Sequence, residues 1–267
     1  MSDQLNVLKT ELSHHVVGQE RVIERLIVSL LANGHCLLEG VPGIGKTMMT
    51  STLAQMVGGT FSRIQFTPDL LPSDLLGTSV LVEGSSDFVF KPGPIFAQFI
   101  LADEINRASP RTQSSLLEAM ADRQVSIDGK THPLGQTFCV LATQNPTEFE
   151  GTYPLPEAQV DRFMMKVLVG YPQEDEEFVI VQRVIGQAIE VAAVTSTDQI
   201  AQLQKTCRQG YVDPSLIQFA VKLVSATRHP ERFGLADWSR FITFGASPRA
   251  TIALIEGARA GLFARPP

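Results

Sequence analysis

The run Leu37-Leu38-Glu39-Gly40-Val41-Pro42-Gly43-Ile44-Gly45-Lys46-Thr47 limits what this chain can become more than any other stretch. An apolar segment, 35–38, ends in G-x-x-x-x-G-K-T, and a helical pattern follows over 46–57, which is the setting a phosphate-binding loop requires. Glycines at 40, 43 and 45 let backbone N–H groups turn inward. The helix that starts near Gly45 aims its unpaired N–H groups and the positive end of its dipole at the same point. The expected binding set is Gly40, Val41, Pro42, Gly43, Ile44, Gly45, Lys46, Thr47 and Met48. Lys46 is expected to reach the β- and γ-phosphates of a polyphosphate as a point charge, and the Thr47 hydroxyl to ligate Mg²⁺.

A second stretch carries chemistry. Residues 99–102 form an unbroken apolar run that fits a strand buried on both faces of a parallel sheet, and the run ends in Asp103-Glu104. Open α/β sheets bind ligands at that carboxyl edge. Asp103 is expected to hold Mg²⁺ through its water shell and Glu104 to polarise the attacking water. A further buried strand is expected over 138–144, so Asn145 falls at the same edge, where its amide can orient the water or touch the γ-phosphate. Asn145-Pro146 is also an ordinary turn.

The other segments fill in an alternating β and α pattern. Leu5, Leu8 and Leu12, then Ile23, Leu26, Ile27 and Leu30, recur at helical spacing on either side of a break at Val17-Gly18, which is expected to lie beside an adenine ring, although an ordinary interhelical turn explains Gly18 nearly as well. A strand is expected over 61–66, a short helix between 69 and 76, and a hairpin over 80–90. Ser109-Pro110 starts a helix as N-cap and first residue, with Gln113, Leu116, Leu117 and Met120 inward. Asp128-Gly129 between two short alternating runs predicts a tight type I′ hairpin over 124–132. A short helix ends at Asp161-Arg162-Phe163 before a strand over 164–169. Nothing local to that stretch makes Arg162 catalytic. From Pro172 onward the pattern is helical only, with helices expected over 173–186, 197–209, 213–227 and 248–263. Ser247-Pro248 opens the last one and puts Arg249 in its first turn, where a cation opposes the dipole unless an anion offsets it; nucleotide contact is the expectation. The expected division is 1–171, an α/β nucleotide-binding core, and 172–267, a helical domain.

Composition narrows the partners. The 267 residues carry a net charge of −6 with no lysine and arginine block, so a nucleic-acid surface gains no support. No apolar run approaches the roughly 18 residues a membrane span needs. The polar start has no signal-peptide pattern, and a cytoplasmic protein is expected. Cys36, Cys139 and Cys207 sit far apart in apolar or helical patterns and read as reduced small hydrophobes.

The strings GVPGIGKT, LADEINRASPRTQSSLLEAM, ATQNPTEFEGTYPLPEAQVDRF and GASPRA stand in this order, and with them the chain resembles the MoxR family of AAA+ ATPases over nearly its whole length. The resemblance implies an AAA+ P-loop core followed by a small helical lid. It also implies Mg²⁺-dependent hydrolysis of ATP, and chaperone-like remodelling or maturation of a protein client, with von Willebrand A domain proteins as one class. By resemblance, Asn145 is the sensor 1 asparagine, Arg162 the arginine finger that reaches a neighbouring subunit's ATP, and Arg249 the sensor 2 arginine. Those roles imply a homo-oligomeric ring, expected to be a hexamer. The hairpins over 80–90 and 124–132 resemble levers that carry nucleotide state to a client. Family members usually continue beyond the sensor 2 helix, whereas this chain stops at Ala264-Arg265-Pro266-Pro267, so an incomplete lid is expected. An ATP-binding switch or scaffold with slow or no hydrolysis is the alternative reading. A DNA-translocating or chelatase-type ring of the same branch is a third.

Overall fold

The computed structural model describes residues 2–41, 43–81, 88–146, 151–186 and 190–264. Pro42 of the glycine loop, the 82–87 tip of the first expected hairpin, 147–150 of the third string above and the final 265–267 lie outside the described residues.

Two helices, α1 (Ser2–His15) and α2 (Glu20–Leu31), precede the first strand, β1 (Cys36–Glu39), which is followed by α3 (Lys46–Met56) and β2 (Phe61–Gln65). Next come α4 (Pro72–Leu76), the hairpin strands β3 (Gly77–Leu81) and β4 (Phe88–Pro92), β5 (Phe99–Asp103) and α5 (Pro110–Asp122). A second hairpin, β6 (Gln124–Ile127) and β7 (Lys130–Pro133), leads to β8 (Cys139–Gln144), α6 (Glu157–Val160) and β9 (Met165–Leu168). The helices α7 (Glu174–Ile185), α8 (Thr197–Gln209), α9 (Pro214–Arg228) and α10 (Pro248–Ala264) follow.

β2, β5, β8, β1 and β9 form one parallel sheet in that order. The chain runs from β1 outward to β2 and then fills the gap with β5 and β8. The carboxyl ends of β1, β5 and β8 therefore adjoin, and this reversal of strand order is where such sheets bind ligands.

The period of two along each strand sorts the core into two layers. Cys36, Leu38, Phe99, Leu101, Cys139 and Leu141 face one buried cluster, which includes α1, α2, α3, Ile200, Leu203 and Cys207 of α8, and Ala260 and Ala264 of α10. Leu37, Ile100, Ala102, Val140 and Ala142 face the other, beneath α4 and α5. Burial on both faces explains why these strands read as continuous apolar runs. The three thiols are buried, and burial pushes those of Cys36 and Cys139 up to about 12, so they stay protonated and unreactive.

His35 is locked in the same interior. Its Nδ1 accepts the Val140 N–H at 3.0 Å, which leaves the Nε2 proton for the Met120 carbonyl at 3.3 Å. Burial, reinforced by the Arg123 guanidinium, lowers its pKa to about 3.

Two local details add to the sequence reading. The short helix expected between 69 and 76 lies there, from Pro72 to Leu76; 67–70 forms a turn closed by Leu70 N–H on Thr67 O at 3.2 Å, and proline fits the first turn of the helix. Two short 3₁₀ segments, Pro230–Phe233 and Ala236–Phe241, separate α9 from α10; their tighter repeat has no signature at a 3.6-residue period. The Asp128-Gly129 turn has both residues at positive φ, 49° and 75°, as a type I′ turn requires. The two hairpins touch: Ser79 Oγ donates to Asp128, and the Phe90 and His132 rings stack with centroids 4.2 Å apart.

Candidate nucleotide-binding site

β1 ends at Glu39, and the chain turns at once. A Cβ on Gly40 would lie 2.4 Å from the Val169 carbonyl oxygen and 2.8 Å from Ile44 Cδ1, so only glycine lets the loop pass this close to the end of β9. Gly43 and Gly45 take left-handed conformations, φ +84° and +79°, and among the described residues nothing lies within 4 Å of where a Gly43 Cβ would project. The loop is thus an open cradle. Gly45 caps α3 without a side chain, so the first-turn N–H groups of that helix receive no side-chain cap. Lys46 Nζ meanwhile donates to the Gly40 carbonyl at 2.7 Å, folding the ammonium back over the cradle.

Thr143 organises the carboxylates. Its hydroxyl donates to Asp103 Oδ1 at 2.6 Å and accepts the Glu104 N–H at 2.8 Å. That bond holds Glu104 in a left-handed conformation, φ 55° and ψ 50°, a strained backbone of order 1 kcal/mol for a residue with a side chain. The strand therefore stops at Asp103 and the glutamate is turned out over the sheet edge. Glu104 Oε2 accepts from Gln65 Nε2 at 3.0 Å and pairs with Arg107 Nε at 2.9 Å. The second Asp103 oxygen, Oδ2, accepts from Arg63 Nη2 at 2.6 Å and Nε at 3.2 Å.

Gly43, Gly45, Lys46, Thr47, Met48, Arg63, Gln65, Asp103, Glu104 and the buried Asn145 line one cavity of about 370 Å³. Thr47 and Asp103 present hard oxygen donors to the same space, so the donor set fits Mg²⁺. Val17 and Gly18 are not among the lining residues. Next to them in the chain, Gln19 Nε2 donates to the Gly170 carbonyl at 3.1 Å, and a Cβ on Gly18 would meet Glu176.

Arg162 and Arg249 lie elsewhere. Together with Asp161 they line a second cavity, of about 260 Å³, that shares no lining residue with the first. Arg162 Nη1 donates to the Leu117 carbonyl at 2.7 Å. Asp161 accepts both Ser247 Oγ contacts, at 2.7 and 2.8 Å, and stands 3.7 Å from Arg249 Nη1, so its carboxylate is the anion that offsets a cation in the first turn of α10. The structure brings together Lys46, Thr47, Asp103, Glu104 and Asn145, and separates them from the two arginines of the same chain. Sequence reasoning missed Arg63, Gln65 and Thr143. The alternation of β2, which puts 63 and 65 on one side, was the available signal.

The sheet order, the glycine loop and the helical C-terminal segment define a class, the AAA+ P-loop fold. Residues 35–165 match the family described as ATPase family associated with various cellular activities (AAA). The chain belongs to the MoxR family of AAA+ ATPases. It is 49% identical to a protein named Chaperone MoxR1 of Mycobacterium tuberculosis over 93% of this chain and 66% of that one. It is 33% identical to Protein MoxR of Paracoccus denitrificans over 92% of this chain and 77% of that protein. A crystal structure from Cytophaga hutchinsonii, described as a candidate ATPase, superposes with a TM-score of 0.91 at 44% identity, covering 98% of this chain and 80% of its own. The chain thus spans about two thirds to four fifths of the length of these proteins. Among the described residues no helix is long and apolar enough to cross a membrane.

Proposed function

We propose that this chain is the subunit of a ring, expected to be hexameric, that hydrolyses ATP with Mg²⁺ and uses the cycle to remodel or mature a protein client, of which von Willebrand A domain proteins are one class. Residues 172–267 act as its helical lid. The observation that carries the reading is the convergence of Lys46, Thr47, Asp103, Glu104 and Asn145 on one cavity at the carboxyl edge of the sheet. The cradle N–H groups and Lys46 bind the phosphates, and Val17 and Gly18 flank the base. Thr47 and Asp103 hold Mg²⁺, which when bound offsets phosphate charge. Glu104, displaced from the strand line by its left-handed backbone, accepts the proton of the attacking water, and Asn145 orients that water or the γ-phosphate.

Arg162 acts on a neighbouring subunit's nucleotide, and Arg249 contacts nucleotide as the sensor 2 arginine. The placement of Arg162 in a cavity apart from Lys46 and Glu104 supports its action in trans. A cation supplied in trans stabilises phosphoryl-transfer charge and makes turnover depend on assembly.

The test is ATPase rate per chain against protein concentration with Mg²⁺, alongside sedimentation, for wild type and Arg162→Ala. The expected result is a rate that climbs with assembly and falls by about 10³-fold or more in the variant. Nucleotide binding by a monomer with no turnover at any concentration would overturn the motor reading in favour of a switch or scaffold.

A further inference from the structure

Arg63 occupies a place where a surface ion pair has little reason to be. It stands on the edge strand β2, where charged side chains ordinarily point to solvent. Here two of its N–H groups converge on one oxygen, Asp103 Oδ2, and the side chain lines the nucleotide cavity beside Lys46 and Thr47. The other oxygen of Asp103 is taken by Thr143, so Oδ2 is the one facing outward and the one the guanidinium covers. Asp103 itself is mostly buried, its side chain 13% exposed, while Arg63 is 49% exposed. A buried carboxylate in a site without metal needs a counter-cation, and a half-exposed arginine can supply it and leave again at little cost.

We propose that Arg63 is the resting cation of the metal site. It neutralises Asp103 when no divalent ion is bound and competes with that ion for Oδ2. A divalent ion and a guanidinium crowded against one carboxylate oxygen repel each other, so loading of Mg²⁺ sends Arg63 back toward solvent. The competition raises the Mg²⁺ concentration at which nucleotide is held. This rests on the reading of the cavity as a Mg²⁺–nucleotide site.

The experiment titrates Mg²⁺ into a fixed low concentration of mant-ADP with wild type, Arg63→Ala and Arg63→Lys, and repeats nucleotide binding in EDTA. The Mg²⁺ concentration for half-maximal binding is expected to fall about two- to fivefold in Arg63→Ala, the range a partly exposed ion pair represents. Arg63→Lys, which keeps a cation in reach, is expected to stay near wild type, and in EDTA Arg63→Ala is expected to bind no more tightly than wild type, because the uncovered Asp103 carboxylate then faces the phosphates. If Arg63→Ala does not fold, Arg63→Gln carries the same comparison. An unmoved half-saturation point overturns the proposal. So does an equal loss of affinity with and without Mg²⁺, which would make Arg63 a phosphate ligand. Absence of nucleotide binding in the wild type would instead overturn the site reading, and the proposal with it.

Discussion

Acid should weaken this fold through one side chain. His35 is held neutral because its Nδ1 must accept the Val140 N–H; a second ring proton would point at that donor, inside the core and near the Arg123 guanidinium. Its pKa is lowered from 6.5 to about 3. The unfolded chain therefore binds more protons between those values, and stability rises with pH across that window. The contribution is fully present above about 6.5 and is lost as pH falls toward 3. Linkage for this shift gives a loss of about 2 kcal/mol between pH 7 and pH 5. With a urea slope near 3 kcal/mol/M, the midpoint falls by roughly 0.7 M. Urea unfolding followed by circular dichroism at pH 7, 6 and 5 measures this, with His35→Asn as the comparison. The Asn side-chain oxygen can take the place of Nδ1 without a titrating group, so that variant should be less stable at pH 7 and lose about 2 kcal/mol less on acidification. Parallel losses in the two proteins would refute the assignment.

Three further outcomes follow from the site. Glu104→Gln should leave nucleotide affinity largely intact and lower steady-state turnover by at least ~10²-fold, the general-base magnitude; turnover that survives removes Glu104 from its role. Thr143→Val deletes the hydroxyl that anchors both Asp103 and Glu104, and leaving those groups without that partner should cost about 1–3 kcal/mol of stability in thermal unfolding and lower kcat more than it raises KM for ATP. Gly40→Ala forces a methyl to 2.4 Å from the Val169 carbonyl and should abolish nucleotide binding by calorimetry, whereas Gly43→Ala meets no atom, costs about 1 kcal/mol for its positive φ and should weaken binding only in part.

The parts of this molecule written in local pattern were readable from residues alone. The runs at 99–102 and 138–144 announced two-faced burial, Ser109-Pro110 announced the start of α5, and Asp128-Gly129 announced its turn. The site was half legible for the same reason: Lys46, Thr47, Asp103 and Glu104 lie at the ends of elements whose type is locally encoded. What reaches across was not legible. Arg63 and Gln65 meet the two carboxylates because β2 pairs with β5 in a register that sets Gln65 opposite Asp103, and neither the pairing nor the register is a property of either segment. Arg249 was read toward an anion, and the anion its own chain supplies is Asp161, 88 positions earlier in sequence (249 minus 161). The 3₁₀ turns before α10 escaped because short i to i+3 segments carry too few residues to set up a period.

The contact between the two hairpins bears on how the proposed ring would signal to its client. β4 leads to β5, which ends in Asp103 with Glu104 just beyond it, and β7 leads to β8, which ends beside Asn145. With Ser79 bound to Asp128 and Phe90 stacked on His132, a displacement of one hairpin relative to the other has to break or shear those contacts. On the proposed reading, a client resting on either hairpin would sense the carboxylate strand and the asparagine strand together, and a nucleotide state that shifts only one of them would have to shear the aromatic stack first.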